Sequence, residues 1–219
     1  MFEVRIWLSK KGRIKFVSHL DMFRMMQRAV RRADIPLWYT EGFNPHPYIS
    51  YLLALPLGVE GEAEPIDLRI VEDISLEEIK NRLNERMPEG LEITDVTLPF
   101  NKPGEIAYGR YTCEIPTEDI SRDELFEALT SGELTCEKSG KSGGRKIMKT
   151  VNVSEHIKSF ELKEENGSIY LEVVLPAGSS FNLNPVQLME AVSSRVGRSI
   201  YPANTRRIAL LCENGEVFR

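Results

Sequence analysis

Apolar positions recur with two different periods along the first half of the chain, and each period predicts one kind of element. Where they alternate with polar residues we expect strands, and where they return every three to four positions we expect helices. Ser18 with Asp21, and Ser75 with Glu78, have the spacing of capping boxes at the starts of two helical stretches. The predicted elements are, in order, a strand at 3–8, a helix at 19–33, strands at 48–55 and 66–70, a helix at 76–87 and a strand at 91–98.

The second half resumes this pattern after a break at 99–104, which contains two prolines and a glycine. Asn184 before Pro185 marks the start of its last helix, and Gly197 marks the end. The predicted elements are a strand at 111–115, a helix at 121–129, a strand at 134–136, two strands within 146–163, a strand at 169–175, a helix at 184–197 and a strand at 205–212.

Both halves share the element order β-α-β-β-α-β, with additional strands in the second half. This order predicts an α+β fold of two tandem ferredoxin-like units, the second with extra strands. The predicted domains are residues 1–99, with a basic first helix, and residues 105–219, with the inserted strands.

Charge is distributed unevenly along the chain, although the whole carries −5 at pH 7. Residues 1–50 contain nine Lys/Arg and four Asp/Glu, whereas residues 51–100 contain four and twelve. The overall acidity argues against a general polyanion binder, but a local basic surface is compatible with RNA binding. A site for an anion is therefore expected where the positive charge collects.

Cysteine and histidine usage excludes several classes of protein. Cys113, Cys136 and Cys212 are too scattered for a disulfide framework or a metal-binding pair, and the histidines fit no zinc spacing. We therefore expect no metal and no cofactor. Because no apolar stretch approaches the roughly 18 residues of a membrane span and the N-terminus lacks a signal-peptide pattern, we expect a cytoplasmic protein without membrane association.

The predicted first helix places four arginines on one side. Arg24, Arg28, Arg31 and Arg32 are spaced i, i+4, i+7 and i+8, which confines them to an arc of roughly 100°. Since like charges repel, they need an anion over them, and the planar guanidinium suits phosphate. The alternatives are neutralisation by carboxylates of the segment 60–78 or a protein interface.

His19 lies in the first turn of the same helix. An imidazole in this position is a candidate general base for RNA cleavage without a metal. The alternative is a buried histidine that is hydrogen-bonded to the backbone. His19 is a catalytic candidate only under the first of these interpretations.

A rigid loop is predicted at 42–47, Gly-Phe-Asn-Pro-His-Pro, where two prolines flank His46. Phe43 offers a stacking face, and Asn44 and His46 offer polar groups. A stiff loop loses little entropy on binding, so these three residues form a candidate ligand- or partner-binding loop. The alternative is a structural crossover in which His46 points to solvent.

The segment 138–149 carries five cations, three glycines and no acid. A loop of this composition beside a sheet is suited to the phosphate backbone, and it is equally typical of a mobile hairpin tip. The candidate RNA-binding residues of this segment are Lys138, Lys141, Arg145, Lys146 and Lys149.

Four stretches resemble the bacterial radical SAM-linked family, a domain of unknown function that occurs alone or fused behind a radical S-adenosylmethionine (SAM) domain. They are residues 15–21 (KFVSHLD), 31–37 (RRADIPL), 39–47 (YTEGFNPHP) and 55–61 (LPLGVEG). The resemblance implies a radical SAM enzyme as partner on a separate chain, because this chain lacks the CxxxCxxC that would hold an iron–sulfur cluster. Because this family has no agreed catalytic residues, the resemblance assigns none to this chain.

Three hypotheses for function are open at this point. The leading one is a non-catalytic RNA-binding accessory that presents RNA to the radical SAM enzyme. The second is a metal-independent endoribonuclease with His19 as base, since the predicted architecture is similar to the repeat-associated RNA-processing proteins of CRISPR systems. The third is a protein-binding adaptor that uses the acidic segment 60–78 and exposed aromatic residues.

Overall fold

The computed structural model describes residues 1–142, 145–178 and 181–219, and the side chains of these residues except 139–142 and 145–147. Over this part of the chain the fold is α+β, with four α-helices and a mostly antiparallel sheet. The chain divides into two compact units. The first comprises Met1–Glu105, Arg207–Ala209 and Val217–Arg219, and the second comprises Ile106–Arg206 and Leu210–Glu216.

The first unit has the element order that the sequence predicts. Its elements are β1 (Phe2–Lys10), a 3-10 turn at Gly12–Phe16, α1 (His19–Arg32), β2 (Ile49–Tyr51), β3 (Glu60–Ile70), α2 (Leu76–Asn84) and β4 (Leu91–Thr97). The strands are antiparallel in the order β4-β1-β3, and β2 pairs with β3. Leu68 in the middle of β3 faces Val4 of β1 on one side and Ile49 of β2 on the other.

Helix α1 begins at the predicted Ser18 cap and covers the residues whose apolar positions recur every three to four residues. The Ser18 hydroxyl accepts a hydrogen bond from the Asp21 amide at 3.2 Å, which satisfies one of the free N–H groups of the first turn. The side chains of Met22, Met26 and Val30 are buried in the core of the unit. The apolar residues that recur every three to four positions in this helix therefore face the core, and its four arginines are exposed.

The strand predicted at 48–55 is wrong in its second half, since β2 ends at Tyr51. The carbonyl oxygens of Leu53 and Ala54 accept hydrogen bonds from the guanidinium of Arg207 instead of entering a ladder. Strand β3 begins at Glu60, earlier than the predicted 66. The alternation of apolar residues does not indicate this start, because two buried carboxylates, Glu60 and Glu64, occupy strand positions where apolar residues are expected.

The remaining helices and strands belong to the second unit, except that Arg207–Ala209 of the last strand belong to the first, and each corresponds to a predicted element. They are β5 (Tyr108–Pro116), α3 (Arg122–Thr130), β6 (Thr135–Ser142), β7 (Arg145–Asn152), β8 (Ser159–Glu165), β9 (Ser168–Pro176), α4 (Pro185–Val196) and β10 (Asn204–Leu211). The sheet order is β10-β5-β9-β8, and β6 pairs only with β7 in a separate two-stranded sheet.

Helix α4 begins and ends as predicted. Asn184 and Gln187 form a reciprocal capping box, with Pro185 in the first turn. Gly197 adopts φ 74°, a left-handed conformation that costs glycine little, and closes the helix. The helix therefore presents Leu188 and Val192 to the core of the unit.

Candidate nucleic-acid interface

The arginine face of α1 consists of Arg24, Arg28, Arg31 and Arg32, and all four side chains are exposed. Arg24 donates to Asp21 one turn earlier at 3.2 Å. Arg28, Arg31 and Arg32 form no hydrogen bond or ion pair with the residues that the structure describes. Three guanidinium groups with unused donors therefore lie on one exposed surface.

Five of the eight carboxylates of the acidic segment 60–78 serve other cations, and the other three, those of Glu72, Asp73 and Glu77, form no ion pair with the described residues. Asp67 binds Arg5 through both oxygens, at 2.7 and 3.0 Å, and Glu64 binds Arg207. The remaining pairs are Glu60 with Lys15 at 3.7 Å, Glu62 with Lys11 at 3.5 Å, and Glu78 with Arg82. These five carboxylates are committed elsewhere in the first unit, so they do not neutralise the arginine face.

His19 is exposed at the start of α1, and its ring meets the ring of Tyr51 edge-on, with 5.1 Å between the centroids. The Tyr51 hydroxyl donates to the Met22 carbonyl at 3.3 Å, and burial raises the pKa of Tyr51. The alternative of a buried histidine is therefore wrong, because the first turn of the helix lies at the rim of the unit.

A small pocket of about 20 Å³, roughly the space of one water molecule, lies beside His19. It contains Lys10, a residue that is 4% exposed and whose ammonium donates to the Val17 carbonyl at 3.0 Å. Burial lowers the pKa of Lys10, and the negative charge of Glu64 works in the opposite direction. The walls include Leu8, Lys10, His19, Met22, Tyr51 and Glu64.

Sequence reasoning missed Lys10, although the strand carried a signal for it. Val4, Ile6 and Leu8 alternate into the core, and Lys10 continues the same alternation. A lysine is almost never fully buried unless its charge is paired. It can supply a proton or a positive charge to a group that enters the pocket.

The candidate loop Phe43–His46 is exposed and is attached by hydrogen bonds to Thr40. The Thr40 amide donates to the His46 carbonyl at 2.9 Å, and Nδ1 of His46 lies 3.0 Å from the Thr40 hydroxyl. The side chains of Phe43, Asn44 and His46 all face solvent. His46 and His19 thus have different partners, Thr40 for one and Tyr51 for the other.

Residues 138–142 and 145–149 of the basic segment lie on β6 and β7, and the candidates fall into two groups. Lys138 donates to the Asn182 carbonyl and lies 4.4 Å from the centre of the Phe181 ring, so its charge is used within the second unit. Lys149 is exposed. The side chains of Lys141, Arg145 and Lys146 lie outside the described residues.

The cysteines are buried and form no disulfide among the described residues, and burial raises the pKa of the Cys113 thiol to about 12. A thiol of this kind is a poor nucleophile. In the part of the chain that the structure covers, no group of three or more His, Cys, Asp or Glu side chains is arranged to hold a metal ion. Likewise, none of the described helices combines the length and apolar content of a membrane span.

The fold and the arginine face define an α+β protein with an exposed cationic helix. The chain belongs to a bacterial family described as an uncharacterized protein conserved in bacteria (DUF2344), whose model matches residues 3–185. The expectation of a bacterial domain of unknown function is confirmed, and the link to a radical SAM enzyme stays a prediction. No match is found among curated proteins.

Among solved structures, the chain is similar to one chain of a crystal structure of a Cbf5-Nop10-Gar1 complex. The TM-score is 0.53 and the sequence identity is 13%, over 95% of this chain and 49% of that chain. The present chain therefore spans about half the length of the solved chain that it matches. At this identity the similarity concerns the fold alone.

Proposed function

We propose that this protein binds RNA through the arginine face of α1 and presents it, without catalysis of its own, to a separate radical SAM enzyme. The observation that carries the proposal is the pairing of charges in the first unit. Arg28, Arg31 and Arg32 have no partner among the described residues, while five of the eight carboxylates of the acidic segment 60–78 are paired with other cations and the other three form no ion pair with these arginines. An external polyanion is the partner that such a surface lacks.

The direct test is capture of the tagged protein from cells, with sequencing of bound RNA and identification of co-purified proteins. The proposal expects a defined set of RNAs together with a radical SAM enzyme. The matched control is the same capture with Arg28, Arg31 and Arg32 changed to Gln, which keeps long polar side chains and removes the charge. Equal RNA recovery from both proteins contradicts the proposal.

We propose in addition that each unit is a variant of the ferredoxin-like arrangement. The strands of the first unit lie side by side in the order β4-β1-β3-β2. When the strands of the second unit without the β6–β7 hairpin are numbered from one to four along the chain, their order β10-β5-β9-β8 is the same, 4-1-3-2. Both have the order β-α-β-β-α-β once the β6–β7 hairpin is set aside. The open faces of such sheets and their helix surfaces are compatible with RNA binding.

The Phe43–His46 loop is the proposed contact for the partner enzyme. Changing Asn44 and His46 together to Ala is expected to weaken partner capture at least tenfold and to lower the free energy of unfolding by less than about 1 kcal/mol, because both side chains are exposed. Co-purification and thermal melting of the one double variant measure both quantities.

Pro45 and Pro47 remain in this variant, so the stiffness of the loop is preserved. The control is Asn214→Ala, an exposed asparagine in the second unit, for which partner capture should not change. A large drop in melting temperature with unchanged partner capture assigns the loop to structure and removes it from the proposal.

A metal-independent endoribonuclease is the second candidate, and one observation favours it. His19 lies at the mouth of the pocket that holds the buried Lys10, so a general base and a cation for the developing negative charge are present together. Under this alternative, purified protein in EDTA cleaves RNA to products with cyclic phosphate ends.

Replacement of His19 by Ala separates the two functions. Under the accessory function we expect no cleavage before or after the change, and a change of unfolding free energy within about 0.5 kcal/mol because the ring is exposed. Gel analysis of a labelled RNA after incubation in EDTA is the measurement. Cleavage that falls by several powers of ten in the variant would establish the nuclease and reverse the ranking.

A further inference from the structure

A second pocket lies between α1 and the segment that follows α2, next to the arginine face. It has a cavity volume of about 400 Å³. This size is within the range of small-molecule sites, about 300–1,000 Å³. The residues that matter for its chemistry are Met25, Arg28, Arg32, Arg86, Met87 and Pro88. We call it the methionine–arginine pocket.

The charges of the methionine–arginine pocket favour an anion. Three arginines line it against one carboxylate, that of Glu85. Glu85 is 4.0 Å from Arg86, and both side chains are exposed, so the pair is weak. Arg28 and Arg32 make no hydrogen bond or ion pair with the described residues, so their planar forks are available for phosphate oxygens.

The apolar wall of the pocket favours a flat ring. Met22, Met25, Met26 and Met87 all contribute to it, and Met25 and Met87 are only partly buried. Thioethers are polarizable, and their flexible chains adapt to planar partners, with favourable contacts between sulfur and an aromatic ring. Pro88 adds a rigid apolar surface at the edge.

We propose that the methionine–arginine pocket binds one unstacked nucleotide of single-stranded RNA. The base lies against Met25 and Met87, and its flanking phosphates bind Arg28 and Arg32. This inference rests on the proposed RNA binding and deepens it, because it restricts the RNA to strands whose bases are free to leave the stack. Regular duplex RNA keeps its bases inside the helix and offers only phosphates to the same surface.

Two synthetic probes test the role of the base. One is a fluorescein-labelled 12-nucleotide oligouridylate, and the other is a 12-unit abasic ribose-phosphate chain with the same number of phosphates. Fluorescence anisotropy with the full chain should show at least fivefold tighter binding of the oligouridylate, since one stacked base contributes about 1–3 kcal/mol. The abasic probe should retain the salt-dependent part of the affinity.

Variants of the pocket wall make the test specific. Met25→Ala with Met87→Ala should weaken the oligouridylate at least fivefold and the abasic probe less than twofold. Met25→Leu with Met87→Leu keeps an apolar wall of similar volume and should restore most of the affinity. The control is Met148→Ala, an exposed methionine of the second unit, which should change neither probe. If the double alanine variant does not fold, Met87→Ala alone replaces it.

The outcomes separate this inference from the proposed function. Equal binding of both probes by the wild type, with no effect of the methionine variants, overturns the nucleotide pocket and leaves RNA binding in place. Failure of both probes to bind at low salt overturns RNA binding itself. In a competition experiment, uridine monophosphate should displace the labelled oligouridylate much more weakly than unlabelled oligouridylate does. Equal competition by the two assigns the pocket to a free nucleotide and overturns the assignment to RNA.

Discussion

Reversal of charge on the arginine face is expected to abolish RNA binding and to leave the fold intact. The variant changes Arg28, Arg31 and Arg32 to Glu, the three arginines that have no partner among the described residues. All three side chains are exposed, so no core contact is lost. We expect at least a hundredfold loss of affinity for single-stranded RNA in filter binding at low salt, because three attractive contacts become repulsive.

Salt dependence provides an independent readout of the same variant. Each neutralised phosphate of a single strand contributes about 0.7 to the slope of log K against log salt concentration, so loss of three contacts should make the slope shallower by about 2. The acidic residues placed near the C-terminus of α1 oppose the helix dipole, so a modest destabilisation of about 0.3–1 kcal/mol at each of the two last-turn positions is expected.

The matched control has the same change of net charge at other exposed cations, Arg13, Arg122 and Lys163, each changed to Glu. Its RNA affinity should fall much less than that of the α1 variant, because only the long-range field changes. A similar loss in both variants would mean that overall charge and not the arginine face governs binding.

Local patterns were sufficient to predict α1 and its two sides. The buried side and the exposed arginines follow from spacing within a single helix, and the Ser18 cap fixes the start, so nothing distant in the chain is needed. The helix ends at Arg32, one residue before the predicted end at Ala33. The arginine stripe was therefore visible before its surroundings were known.

Long-range pairs of buried charges were not predictable in the same way. Asp67 is neutralised by Arg5, which is 62 residues away in the sequence and lies directly opposite it on the adjacent strand β1. It is therefore not available to the arginine face. The irregular course of residues 52–55 depends on Arg207, more than 150 residues further along the chain. Periodicity carries no information about such partners.

The largest loss of stability is expected when Arg207 is replaced by Met. Arg207 is 1% exposed, its Nε donates to Glu64 at 3.0 Å, and its other nitrogens reach the carbonyls of Leu53 and Ala54. Methionine fills similar volume but leaves the Glu64 carboxylate buried without its partner. Breaking a buried pair from one side costs about 3–5 kcal/mol, so the free energy of unfolding of the first unit should fall by that amount.

Tryptophan fluorescence during urea denaturation measures this unit alone, because Trp7 and Trp38, the only tryptophans of the chain, both belong to it. Adding Glu64→Leu to Arg207→Met removes the buried carboxylate that has lost its partner. The double variant should therefore recover part of the lost free energy of unfolding. Recovery stays incomplete because the carbonyls of Leu53 and Ala54 lose the hydrogen bonds that Arg207 donates. Arg13→Met, at an exposed site, is the control and should change stability by less than about 0.5 kcal/mol. If the single and double variants are equally unstable, the cost comes from the carbonyls and not from the uncompensated carboxylate.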